Sequence, residues 1–293
     1  MIPKEHRIAG QGAIFLCALL WSTSGLFIRL VDWHPMVIAG SRSLLAALVL
    51  LALRCLLPGQ KAEKAGVRTL FKNAPKYVIC GLFYTATMVS FVIANKMTAS
   101  ANAILLQYAA PVWAMLLAWI FLHERPRWDH WCALVMVSMG MFFVFSGGLA
   151  AGSLSGDSIA LISGIAFGAN TVVLRAKKDS NTADILFFSH IICFVISIPF
   201  FFLHPPSMTV NNILCMTYMG IFQLGLASAL FAYGIKRIPA VQAMLTATIE
   251  PVLNPVWVLL AIGEKPQLPV IAGGSVIIAA VVFSSVVSLS KHK

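Results

Sequence analysis

At 293 residues, 59% hydrophobic and 11% charged, with a mean hydropathy of +0.88, the chain lacks the charge that a soluble surface needs. Soluble domains carry about a quarter of their residues as charged side chains, so the outer surface here faces lipid. The formal charge of +11 does not mark a nucleic-acid partner, because the basic residues lie in short gaps between apolar runs rather than on one solvated face.

A helix needs about 20 mostly apolar residues to cross a hydrocarbon core about 30 Å thick. The first such run, 10–30, follows Lys4 and Arg7; it is long enough to span and lacks the cleavage site of a removable signal. Trp21 and Ser24 lie deep within it. The second run, 35–57, contains Arg42, roughly 10 Å in from its start at ~1.5 Å per residue. A charge at the centre of a membrane helix costs roughly 2.5–3.5 kcal/mol, so Arg42 needs a reason. Its small neighbours Ala39, Gly40, Ser41, Ser43 and Ala46 admit a close helix or a substrate. Its planar donors suit a carboxylate or phosphate, while a structural ion pair or a lipid headgroup would satisfy it as well.

The third run, 76–95, carries Tyr84, and the fourth, 98–121, places Gln107 and Tyr108 just before Pro111. The fifth is 128–147. The sixth, 156–175, holds Asn170, and the seventh, 183–203, holds His190 at a depth like that of Arg42 but measured from the opposite face. This pair is expected to flank a central site as outer and inner gate elements, though an isolated membrane histidine is also a common packing residue. The eighth run, 213–235, includes Gln223. In the ninth, 239–262, Thr246, Glu250 and Asn254 share a face at four-residue spacing. Pro251 and Pro255 each remove a backbone donor and disturb the helix one turn earlier, leaving carbonyls free around Ala247 and Pro251 beside the carboxyl. Irregular backbone at membrane depth is tolerated where it lines a cavity. Glu250 is therefore a candidate to bind a substrate ammonium, carry a coupling proton or pair with Arg42. The tenth run is 268–289. All ten must be helices, since backbone groups in lipid have to be paired within their own segment.

Orientation follows the Lys and Arg distribution. With the N-terminus in the cytoplasm, the inside receives Lys4, Arg7, five basic residues of the 58–76 connection, Arg125, Arg127, Arg175, Lys177, Lys178, Lys236, Arg237, Lys291 and Lys293. The outside receives Arg29, Lys96 and Lys265. The long basic connection 58–76 also suits anionic lipid heads. Six cysteines stand singly in apolar stretches, without the spacing of a metal or redox motif, and read as small packing residues. No metal or other cofactor is expected.

The chain repeats itself. Pro111-Val112 returns 140 residues later as Pro251-Val252, and Glu124-Arg125-Pro126 as Glu264-Lys265-Pro266. Phe91 and Lys96 return as Phe231 and Lys236; Trp21, Ser24 and Arg29 pair with Phe167, Asn170 and Arg175 at a slightly larger shift, and Ser41-Arg42 with Ser189-His190. Five spans is an odd number, so two copies in one chain insert with opposite orientation. The expected architecture is an all-α integral membrane protein of ten transmembrane helices built as two inverted five-helix repeats, 8–148 and 154–290. Inverted repeats are a mark of alternating-access transporters.

Two five-span halves, each closing on a Pro-Val span and Glu-x-Pro (Glu124 and Pro126; Glu264 and Pro266), together with Leu20-Trp21-Ser22 and Ala39-x-x-Arg42, resemble the EamA-type transporters of the drug/metabolite transporter superfamily. The resemblance covers essentially the whole chain. It implies a ten-helix fold and export or uptake of small metabolites, commonly amino acids or their relatives.

A membrane-embedded enzyme would need a nucleophile, a metal motif or paired intramembrane aspartates, and none is present. A passive channel would line whole helices with polar residues, whereas here polarity clusters near the middle of each half. Gly147-Gly148 and Gly273-Gly274 lack the Gly-Lys-Ser/Thr of a nucleotide loop, so uphill movement would draw on protons or exchange, with Glu250 as the coupling group. A cation at Arg42 and an anion at Glu250 in one cavity suit a zwitterion such as an amino acid. Glu250 with the aromatics alone would suit a hydrophobic cation. A monomer and a homodimer fit equally well.

Overall fold

The computed structural model describes residues 4–56, 77–98, 100–146, 153–177, 181–253, 257 and 268–290. The basic connection 58–76, Asn254 with Pro255, and the Glu264-Lys265-Pro266 ending lie outside the described residues. Among the described residues every regular element is a helix, and six helices are long and apolar enough to cross a membrane: Glu5–Ile28, Pro35–Leu56, Val78–Met97, Leu154–Ala176, Thr182–Leu203 and Val210–Ile235. Ala110–Leu122, Ala240–Leu253 and Ile271–Ser284 are shorter apolar helices.

In chain order the elements are α1 (Lys4–Trp21), α2 (Ser24–Leu30), α3 (Pro35–Leu56), α4 (Val78–Met97), α5 (Ser100–Gln107), α6 (Ala110–Leu122) and α7 (Trp128–Ser146). They continue with α8 (Leu154–Ala176), α9 (Thr182–Leu203), α10 (Val210–Tyr218), a π-helical segment Met219–Leu226, α11 (Ala227–Ile235), α12 (Ala240–Ala247) and α13 (Leu268–Ser290). A short helical stretch, 250–253, comes after α12.

Within the described residues, the bounds expected from hydropathy lie within about three residues of these elements, except that α1 begins at Lys4 rather than at residue 10. The end of the ninth run lies outside the described residues, and hydropathy does not place the interruptions. The fourth run divides into α5 and α6, because Pro111 has no N–H for the Gln107 carbonyl. The chain crosses the gap by three-residue bonding: Ala109 N–H to Leu106 O at 3.2 Å, then Val112 N–H to Ala109 O at 3.0 Å. Around Pro251 the same two bonds return, with Ile249 N–H to Thr246 O at 3.3 Å and Val252 N–H to Ile249 O at 3.1 Å. The first run breaks without a proline. There Ser22 Oγ donates to Leu19 O at 2.6 Å and Thr23 Oγ1 to Leu20 O at 2.9 Å, so two adjacent hydroxyls compete with the helix for its own carbonyls.

Packing brings the breaks inward. The α5–α6 gap lies against α8, where a Cβ at Gly164 would sit 2.8 Å from Gln107 O and one at Gly168 would sit 2.9 Å from Ala110 O. Only hydrogen at these two positions lets the exposed carbonyls of the gap approach. Helix α3 pairs with α9, α4 with α8, α1 with α11, α6 with α12, and α7 with α13. On the outer surface, α6 presents Trp119, Ile120 and Phe121, α7 Trp131, Val135, Met139 and Phe142, and α13 Ile271, Ile278 and Val282, all exposed. Such faces are stable against lipid, not water.

Candidate functional site

Three helix breaks converge on Glu250. Its carboxyl, 7% exposed, begins the stretch after the α12 break. Oε2 accepts the Tyr108 hydroxyl at 2.5 Å, and Tyr108 stands in the α5–α6 gap. The Ser24 side chain, just past the α1–α2 break, also lies beside the carboxyl. The same Tyr108 hydroxyl lies 3.0 Å from the Ala247 carbonyl, the group that Pro251 leaves without its helical donor.

The fourth irregularity serves Arg42. Within the π-helical segment Gly220 and Gly225, five residues apart, meet Leu45 and Val49 of α3, so the wide turn rests directly on that helix. This carries Gln223 inward, where Oε1 accepts Arg42 Nη2 at 2.8 Å. The guanidinium is 2% exposed, and its Nε has no hydrogen-bond partner. Arg42 and Glu250 do not form an ion pair; they act on one another through space, with Tyr84 and Cys193 also beside the cation.

His190, fully buried, lies next in the same polar cluster. Tyr84 Oη is 3.1 Å from Nδ1, Ser228 Oγ is 2.9 Å from Nε2, and the tyrosine ring meets the imidazole edge-on at 4.7 Å. Beside this cluster is a narrow cavity lined by Trp21, Tyr84, Thr87, Met88, Phe167, Asn170, Leu186, Leu224, Ser228 and Phe231. Trp21 is held between Phe167 at 5.6 Å and Phe231 at 5.4 Å. Asn170 is 3% exposed, and its Oδ1 has no partner.

Of the residues singled out in the sequence, Trp21, Tyr84 and Asn170 line the cavity, while Ser24, Tyr108 and Glu250 form one node and Arg42 and His190 belong to the adjoining polar cluster. Two are elsewhere. Gln107 Nε2 donates to Ser163 Oγ at 2.8 Å, and Ser163 donates to Thr87 O at 3.1 Å, which ties α5 to α8 and α4. Thr246 Oγ1 donates to Gln242 O at 2.9 Å within its own helix. Phe167, Phe231 and Ser228 were not singled out. The duplication marks Phe167 as the mate of Trp21; Ser228 carries no sequence signal.

Different contacts tie the helices together at the two ends of the bundle. At one end Arg54 pairs with Asp184, and Arg175 reaches Glu124 at 3.2 Å and the Ile235 carbonyl at 3.1 Å. Glu124, just past the end of α6, is thus held by an ion pair to the end of α8. At the other end His34, ahead of α3, stacks on His204, at the end of α9, with centroids 4.2 Å apart and planes 5° apart. Desolvation, then the neighbouring His204, hold the His34 imidazole below its ordinary value of about 6.5. A group whose proton is resisted in the closed form favours that form at high pH and loses this advantage as pH falls below its open-form value. Spin labels at the exposed Asp32 and Met208 should therefore separate below about pH 6.5. In His34→Gln the step should vanish; a pH-independent distance in the unsubstituted protein would refute a His34–His204 contact that opens on protonation.

Comparison with known proteins finds transporters of similar sequence and a solved structure of similar fold. The chain is 26% identical to an uncharacterized transporter of Archaeoglobus fulgidus, over 94% of this chain and 96% of that one. It is 25% identical to the pseudopaline exporter CntI of Pseudomonas aeruginosa, over 74% of this chain and 77% of that protein. A crystal structure shares the fold with a TM-score of 0.80, at 20% identity, covering 98% of this chain and 100% of the other. The profile of the EamA-like transporter family matches twice, at residues 8–146 and 154–286. Across nearly its whole length the chain belongs to the EamA-like transporter family, and is a multi-pass membrane transporter rather than an enzyme.

Proposed function

We propose that this is a secondary transporter of ten transmembrane helices, two inverted five-helix halves at 8–148 and 154–290, exporting small zwitterionic metabolites such as amino acids by alternating access. In this reading three interrupted helices cross the bilayer: α1 with α2, α5 with α6, and α12 with the rest of the ninth run. Both termini face the cytoplasm of the cell (inner) membrane. Two features support the inversion. The same pair of three-residue bonds crosses the breaks at Pro111 and Pro251, and packing partners recur with the halves exchanged: α4 on α8 answers α11 on α1, and α3 on α9, α6 on α12 and α7 on α13 answer themselves.

The observation that carries the substrate class is the pair of buried, opposite charges held apart beside an aromatic cavity. Arg42 has a donor to spare, and Glu250 is an acceptor on broken backbone. A molecule with both a carboxylate and an ammonium could satisfy both while placing its apolar part among Trp21, Phe167 and Phe231. Glu250 would also be the group that takes up a coupling proton. The named exporter among the relatives supports outward movement.

A second reading rests on the cavity lining, which is aromatic and carries no charge. A hydrophobic cation would use these rings with Glu250 and dispense with Arg42. Deletion and overexpression of the chain, followed by profiling of metabolites inside cells and in the medium, tests both readings. A zwitterion should accumulate inside deletion cells and outside overexpressing ones, and its flux into liposomes should saturate and show counterflow. Accumulation of organic cations alone selects the second reading, and flux without saturation would make the protein a channel.

A further inference from the structure

The Tyr108 hydroxyl has one hydrogen and two acceptors, Ala247 O at 3.0 Å and Glu250 Oε2 at 2.5 Å. It can donate fully to only one. The carbonyl is an acceptor in need because Pro251, four residues on, has no N–H. The other half of the molecule lacks this arrangement. There the mate of Glu250 is Ala110, and the mate of Tyr108 is Thr248, whose hydroxyl donates to Leu245 O at 2.6 Å in its own helix.

We propose that Tyr108 is a positioning residue that converts protonation of Glu250 into a change at the α12 break. With Glu250 ionised, the tyrosine hydrogen goes to the carboxylate, since a charge-assisted hydrogen bond is roughly twice as strong as a neutral one. The Ala247 carbonyl then lacks that donor, a state that low-dielectric surroundings penalise, and the break is biased toward a geometry that supplies another. When the carboxylate takes up one proton, its new O–H donates to the tyrosine oxygen, and the tyrosine hydrogen turns to Ala247 O. One proton enters and none leaves; the Glu250–Tyr108 bond reverses direction, and the bond from Tyr108 to the Ala247 carbonyl forms. The groups facing the carboxyl are Tyr108 from the α5–α6 gap, Ser24 from α2, Cys17 from α1 and the Arg42 cation from α3; of these the tyrosine also bonds the freed carbonyl.

This inference rests on the reading that Glu250 takes up the coupling proton, and the test separates the two. The probe is the proton alone. Full-length protein in liposomes is titrated, and infrared difference spectra follow the carboxyl band, assigned by its loss in Glu250→Gln, together with the amide band of the backbone. In the unsubstituted protein the two should change together. Tyr108→Phe should displace the carboxyl midpoint by about one pH unit, tenfold in proton affinity, and remove the linked amide change. Pro251→Ala restores the missing N–H, so it should keep the carboxyl band and lose the amide change. An unaltered midpoint and amide change in Tyr108→Phe, or a surviving amide change in Pro251→Ala, overturns the relay while leaving Glu250 as the proton site. A carboxyl band that persists in Glu250→Gln overturns the coupling reading itself.

Discussion

Arg42→Ala should cut transport at least tenfold while leaving the thermal midpoint of the purified protein within a few degrees of its original value. Both halves of this expectation follow from burial. A guanidinium 2% exposed, with an unpartnered Nε, is an expensive group, and the proposed contact with a substrate carboxylate accounts for it. On insertion scales a membrane-centre arginine costs about 2.5–3.5 kcal/mol, a penalty that alanine removes. Against this stands the loss of the bond to Gln223, about 1.5–3 kcal/mol for a hydrogen bond to a charged group. The two nearly cancel, so stability should be almost unchanged. Arg42→Lys keeps the charge but not the planar fork, and should restore only part of the flux. Flux in liposomes and melting in detergent read the two effects separately. A drop in stability well beyond about 3 kcal/mol with little change in per-molecule flux would make Arg42 a structural tie to the π-helical segment.

The Arg42–Gln223 contact also shows where reading the sequence stops. The partners are 181 residues apart, and nothing in the run around Gln223 distinguishes a π-helical turn from an α-helical one, because both bury the same apolar side chains. The five-residue spacing of Gly220 and Gly225 is the local trace. The break at Pro251 was legible, because proline removes a donor wherever the helix lies. The one at Pro111 follows from the same rule through the repeat, though it was not among the expected breaks. The break at Ser22-Thr23 was not legible, since hydroxyls that bond their own helix often leave it intact. Glu250, Arg42 and His190 could be singled out because polar groups are rare in lipid. Phe167 and Phe231 are as aromatic as many lipid-facing neighbours, and only tertiary packing separates the cavity wall from the outer surface. Gln107 and Thr246 lie deep in their segments too, but their partners, Ser163 and the Gln242 carbonyl, belong to the scaffold.

Glu250→Gln divides the two roles open to this side chain, because glutamine is close in shape to the protonated acid. Its amide NH2 can donate to the Tyr108 oxygen as a carboxylic O–H would, so the variant holds the proton-loaded arrangement permanently. If Glu250 carries the coupling proton, accumulation driven by a pH gradient should fall at least tenfold, while counterflow of the substrate, which moves no net proton, should continue near its original rate. If Glu250 instead anchors the substrate's ammonium, glutamine removes the charge from a charge-assisted bond worth about 1.5–3 kcal/mol, and affinity should fall roughly 10- to 150-fold in counterflow and driven transport alike. Glu250→Asp keeps the charge but retracts it by one methylene, away from the hydroxyl 2.5 Å distant, and should weaken either role without exchanging one for the other. Three breaks in otherwise continuous helices meet at this carboxyl, an arrangement that lipid does not tolerate without a cavity or compensating bonds. Driven transport and counterflow both at their original levels in Glu250→Gln would remove the carboxyl from the site and leave those breaks serving only the scaffold.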